Sequence, residues 1–208
     1  MELQNLTLKQ FLEKTAANEA LPGGGSSSAL NGAIAAALTG MMANLTIGKK
    51  NYTAVEDQMK KTVEEMEENR LHFINDIDRD ADAYSLVMDA YKLPKETDEQ
   101  KTVRGEKIRE AMKVASLVPM EVAERAYDML DTIIDTIKKG NKNAVTDGMV
   151  GLMACRTAIM GALLNVRINL GGINDPVFVA ELKEKCDRIE KEALEKESEM
   201  IDWVKSVI

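Results

Sequence analysis

The chain has 208 residues, 45% of them hydrophobic, enough to fill one sizeable core as a single domain over residues 1–208. Thirty-five acidic residues against 27 basic ones leave a net charge of −8, which argues against a nucleic-acid protein whose affinity rests on neutralising phosphates. Two cysteines (Cys155 and Cys186), a lone His72 and no secretory segment point to reduced thiols in the cytoplasm and supply no ligand set for a metal.

Aromatics make up 4% of the chain and period-two alternation never lasts, while 3.6-residue periodicity covers most of it, so an all-α bundle of about seven helices is expected. Thr7 caps a first helix carrying Leu8, Phe11 and Leu12, which ends near Asn18 ahead of the Pro22-Gly23 break. A second helix begins around Ser26 to Ser28 and runs to about Gly48. Its uncharged stretch is long enough to cross a bilayer, but the Ser, Asn, Gly and Thr within it favour a buried helix over a membrane span. A long third helix spans about 53–92, with a seam of Val55, Met59, Val63, Met66, Phe73, Ile77, Tyr84, Val87 and Tyr91, and Pro94 ends it.

Thr97 and Gln100 form a capping box for a fourth helix, which Pro119 is expected to kink or break. The fifth reaches Lys139 and stops at Gly140; the sixth runs from about Thr146 to Leu170. Asp175 and Pro176 supply the cap and first-turn proline of a final helix that reaches Trp203. Small residues recur along the second helix (Ser28, Gly32, Ala36, Gly40, Asn44) and along the sixth (Gly151, Ala154, Ala158, Gly161), so both are expected to lie close to a neighbour. Gly inside a helix costs about 1 kcal/mol relative to Ala, a loss that close packing or a subunit contact must offset.

Three regions could carry chemistry. Gly23-Gly24-Gly25-Ser26 precedes a helix N-terminus, where backbone N–H groups can hold an anion or a polarised oxygen; a plain interhelical turn is the alternative, and neither the dinucleotide nor the Walker pattern fits. In IDRDADAY, Asp80 falls on the apolar seam of the third helix, whereas Asp78 and Asp82 read as solvated. GNKNAVTDG gathers Asn141, Asn143 and Asp147 at a helix start; Asn165 and Asn169 follow on the same helix, and Asn44, Lys49, Lys50 and Tyr52 close the second.

PGGGSSSALNGAIAAALTGMMANLTIGKKNY, residues 22–52, is similar to the opening signature of the cyclodeaminase/cyclohydrolase family, the fold found in the C-terminal part of formiminotransferase-cyclodeaminase. DADAY, ASLVPMEVAE around Pro119, GNKNAVTD and NVRINL match in order, and residues 91–111 resemble the corresponding segment of stand-alone methenyltetrahydrofolate cyclohydrolases. The resemblance implies an all-helical homodimer acting on tetrahydrofolate one-carbon derivatives, with sites built from both subunits; the one-carbon bridge of the methenyl compound is a cation to which water can add without a metal, so no cofactor beyond the folate is expected.

On that basis the expected activity is hydrolysis of 5,10-methenyltetrahydrofolate to 10-formyltetrahydrofolate. Asp80 or Asp147 would handle protons or the pterin, and Lys49 the glutamate tail or proton delivery. Gly23, Gly24, Gly25 and Ser26 would make backbone contacts, and Asn44, Asn143, Asn165 and Asn169 would position substrate. Formiminotetrahydrofolate cyclodeaminase activity is the nearest alternative, and a noncatalytic helical interaction protein the alternative of another class.

Overall fold

Seven α-helices follow one another in a computed structural model that describes residues 2–208: α1 (Leu8–Thr15), α2 (Gly24–Thr46), α3 (Glu56–Lys92), α4 (Asp98–Asp128), α5 (Leu130–Lys139), α6 (Val145–Leu170) and α7 (Pro176–Val207). No β-strand occurs among the described residues. Local capping chemistry accounts for several boundaries. Thr7 with Gln10 and Thr97 with Gln100 both close capping boxes, and Asp175 accepts from the Phe178 N–H with Pro176 in the first turn. The remaining ends differ by a few residues: α1 stops at Thr15, α7 continues to Val207, and a 3-10 segment, Lys50–Val55, precedes α3.

Pro119 does not break α4, which continues to Asp128 before the chain turns into α5. A proline removes one backbone hydrogen bond, and the buried flanks of the helix, from Ala115 to Ala126, hold it together across that gap.

The central helix α2 lies between α3 and α6, and its small residues serve the two neighbours on different faces. Gly32 receives the Phe73 ring of α3, where a Cβ would approach to 2.7 Å, and Gly40 faces Met66. On the other side the glycines belong to α6: Gly161 meets Ser28, Gly151 meets Leu38, and Gly148 meets Met42. These pairings run in opposite chain directions, so α2 and α6 are antiparallel. A Gly32→Ala substitution should cost about 1–3 kcal/mol through displacement of the fully buried Phe73 ring, read as a lowered urea midpoint with unchanged m.

The expected neighbourliness of the two helices is therefore present. What faces outward differs from a simple amphipathic pattern. Ile34, Met41 and Leu45 of α2 and Val150, Met153, Leu164 and Ile168 of α6 are exposed, Leu164 at 59% and Ile168 at 76%. The segment Lys142–Leu170 is long and apolar enough to cross a membrane, yet Leu152, Cys155, Ile159, Leu163 and Val166 are fully buried among neighbouring helices. Asp78, expected in solvent, accepts from the Leu3 and Gln4 N–H groups at 2.6 and 3.1 Å and so pins the N-terminal 3-10 turn onto α3.

Candidate functional site

At one end of the α2–α6 pair, the start of α2 meets the end of α6, the middle of α3 and the middle of α4 around a cavity of about 330 Å³. Gly23, Gly24, Gly25, Asp80, Asn165 and Asn169 all line it, with Tyr84 and Ile168 at its wall. Six of the sequence-identified residues, and Ser26 beside them, are thus brought together from three helices.

Asp80 is the chemical centre of this group. The N-cap position of α2 is Gly23, which has no side chain to take up the free N–H groups of the first turn. The Asp80 carboxylate, delivered from α3, stands against that turn: the Ser26 hydroxyl lies 3.1 Å from Oδ2 and 2.9 Å from the Ile77 carbonyl. Burial pushes the Asp80 carboxyl above the usual aspartate range, and its contact with Ser26 pulls it only partly back. A carboxylate held in this way can exchange a proton closer to neutrality than a solvated one.

Gly25 is present for steric reasons. A Cβ there would stand 1.9 Å from Asp80 Oδ1, so no side chain can coexist with the carboxylate in its place. Gly25→Ala should therefore displace Asp80, lowering kcat by at least tenfold and stability by about 1–3 kcal/mol, checked by steady-state assay and thermal melting of one preparation. An enzyme with unaltered kcat would show that the Asp80 position is dispensable.

The two asparagines hydrogen-bond differently. Asn165 Nδ2 donates to the Gly161 carbonyl of its own helix at 2.8 Å, while Asn169 Nδ2 crosses to α4 and donates to the Ala115 carbonyl at 2.6 Å. Ala115 was not singled out from the sequence, because a backbone carbonyl has no residue-type signature.

Asn44, Lys49, Asn143 and Asp147 lie at the opposite end of the pair. Asn141 organises that end: its backbone N–H donates to Thr46 Oγ1 at 2.8 Å, its Nδ2 donates to the Leu45 carbonyl at 2.9 Å, and its Oδ1 accepts from the Asn143 N–H. Tyr52 accepts from the Lys142 N–H at 3.0 Å, so the close of α2 and the start of α6 are tied together. Lys49, Asn44 and Asn143 are exposed, and Asp147 is half-buried in the first turn of α6. Asn44 also borders a crevice between α2 and α3 with Met41, Met66 and Arg70. With 23 residues in α2, the two groups stand roughly 35 Å apart within one chain.

A family profile described as formiminotransferase-cyclodeaminase matches residues 7–188, which include both groups of residues. The chain belongs to this family. Among curated relatives, the methenyltetrahydrofolate cyclohydrolase of Methylorubrum extorquens is 36% identical over 204 residues, 98% of either chain. The formimidoyltransferase-cyclodeaminase of Rattus norvegicus is 29% identical over 191 residues, 92% of this chain but 35% of that protein. In three dimensions, the formiminotetrahydrofolate cyclodeaminase of Thermotoga maritima superposes with a TM-score of 0.84 at 31% identity, covering 98% of this chain and 99% of that one. Family members thus include stand-alone proteins of this length as well as domains of longer ones.

Proposed function

We propose that this chain is a methenyltetrahydrofolate cyclohydrolase acting as a homodimer. The end-to-end match with the Methylorubrum extorquens cyclohydrolase carries the assignment, and the half-buried Asp80 in a substrate-sized cavity gives it a chemical centre. The one-carbon bridge of 5,10-methenyltetrahydrofolate is already a cation, so water adds to it with no cofactor or metal. Asp80 takes a proton as the water oxygen bonds to the bridge carbon, and returns it to N5 as the carbon–N5 bond breaks. Loss of the hydroxyl proton then leaves the formyl group on N10. Amide groups of Asn165 and Asn169 line the cavity where this adduct would form.

Dimerisation accounts for the two separated groups of residues. A two-fold axis crossing α2 near its middle would set α2 antiparallel to its copy, bringing Asp147, Asn143, Asn44 and Lys49 of one subunit to the Asp80 cavity of the other. The exposed apolar side chains Ile34, Met41, Val150, Met153 and Leu164 supply a face for such a contact, and Ile168, on the same helix, also walls the cavity. In this arrangement Asp147 accepts from the paired N–H groups of the pterin, and Lys49 meets the glutamate tail.

Cyclodeamination of 5-formiminotetrahydrofolate, the activity named for the Thermotoga maritima protein, passes through a similar tetrahedral carbon and is the second reading. Parallel assays decide: loss of the methenyl chromophore above the spontaneous rate is expected, with little ammonia released from the formimino compound. Faster ammonia release would reverse the assignment, and no activity or folate binding in either assay would leave a helical interaction protein.

A further inference from the structure

The proline inside α4 has a consequence at the other end of a hydrogen bond. In a helix the N–H of residue 119 would donate to the carbonyl of Ala115, but Pro119 has no N–H. That carbonyl instead accepts from Asn169 Nδ2 of α6 at 2.6 Å, and Ala115 and Asn169 both line the Asp80 cavity. Pro119 itself is buried, one turn further along α4.

We propose that Pro119 is a positioning residue for the folate site: by withholding an N–H it frees the Ala115 carbonyl to fix the orientation of the Asn169 amide. An asparagine amide can present either end to a ligand, and only its surroundings choose between them. With Nδ2 committed to Ala115, the acceptor Oδ1 is left for a substrate N–H. A different residue at 119 would return Ala115 to the helix ladder and release the amide to rotate. The buried carbonyl needs a donor either way, so the proline determines which donor it has. Pro119 acts through Asn169 and touches no reacting atom. The stretch around it matched the family motif in sequence without any role being apparent, since its effect falls on a residue 50 positions away in the chain.

The inference rests on the folate reading for its ligand, and the test separates the two. Binding of 5-formyltetrahydrofolate is measured by calorimetry for wild type, Pro119→Ala, Asn169→Ala and the double variant. Each single variant should raise Kd about tenfold, as expected for one lost hydrogen bond, and the double variant should raise it no further. Turnover should show the loss mainly in KM, and Pro119→Ala should melt no lower than wild type because its helix regains a backbone bond.

Exchange of the Asn169 side-chain amide protons, followed by NMR on the ligand-free protein, should be slow in wild type and fast in Pro119→Ala. This arm needs no folate. Wild-type affinity in Pro119→Ala, a hundredfold loss in the double variant, or unchanged amide exchange would each overturn the proposal. Should Pro119→Ala not fold, Asn169→Asp, which keeps the shape but cannot donate to Ala115, must weaken binding as Asn169→Ala does. Wild-type affinity there refutes the positioning role. Failure of wild type to bind any reduced folate would instead refute the functional assignment, with the exchange measurement still deciding the Pro119–Asn169 coupling.

Discussion

Asp80→Asn should lower kcat for hydrolysis of 5,10-methenyltetrahydrofolate by about 10²–10⁴-fold, the usual range for loss of a general acid–base group, with a much smaller change in KM. Asn keeps the shape of the side chain, and its amide oxygen can still accept from the Ser26 hydroxyl. What it loses is the exchangeable proton. The same substitution should leave the Tm at pH 7 at or above that of wild type, because it removes a group whose charged form is disfavoured by its partial burial.

The sign of the pH dependence follows from the raised carboxyl. Asp80 binds its proton more tightly in the folded chain than in the unfolded one, so its stabilising contribution is full below the unfolded-state pKa and is lost as pH rises through the folded-state value. Activity moves the other way: kcat rises with pH through that same raised titration as the base form accumulates. A pH–rate profile of wild type beside a melting series of both proteins measures the two trends together. A variant that retains full turnover would remove Asp80 from the proton transfers, and one whose Tm falls by several degrees would show that the carboxylate stabilises the fold.

Mixing two crippled subunits should restore activity. Asp147→Asn, which removes a charged acceptor for the pterin, is expected to lower kcat/KM by about 10–100-fold. Suppose each site takes Asp80 from one subunit and Asp147 from its partner. A heterodimer of Asp80→Asn with Asp147→Asn subunits then holds one site with both aspartates intact and one with neither. Random exchange makes about half the dimers mixed, so at low substrate the mixture should recover about a quarter of wild-type activity. Both variants are first unfolded in urea and refolded together, with each refolded alone as a control. Activity no higher than the mean of the two controls would place both aspartates outside a shared site. Leu164→Arg, on the exposed face of α6, gives an independent check, since light scattering should then report a monomer with little turnover.

Local chemistry made the helices legible. The capping boxes at Thr7 and Thr97, the Asp175-Pro176 start and the Gly140 stop are short-range devices, and residues within one turn of each boundary suffice to set them. The third-helix seam likewise read correctly at Met59, Met66, Phe73 and Ile77, which are all buried. The same periodicity also drew in Tyr84 and Tyr91, which are about half exposed, because a heptad-like pattern does not register where a partner helix ends. Asp78 read as solvated for a related reason: its partners are backbone N–H groups some 75 residues earlier in the chain.

The residues in order were enough to give an all-helical chain, the capped starts at Thr7, Thr97 and Asp175, the family, and an Asp80 that interrupts an apolar seam. Tertiary packing alone sets the Asp80 carboxylate against the first turn of a helix whose N-cap is a glycine, makes Gly25 the space that carboxylate occupies, and gives Asn169 the carbonyl that Pro119 leaves free. It also divided the candidate residues between two ends of one helix pair. Caps and turns are governed by neighbours along the chain, whereas these contacts join groups 50 or more residues apart, and no local energy term records which distant atom will arrive.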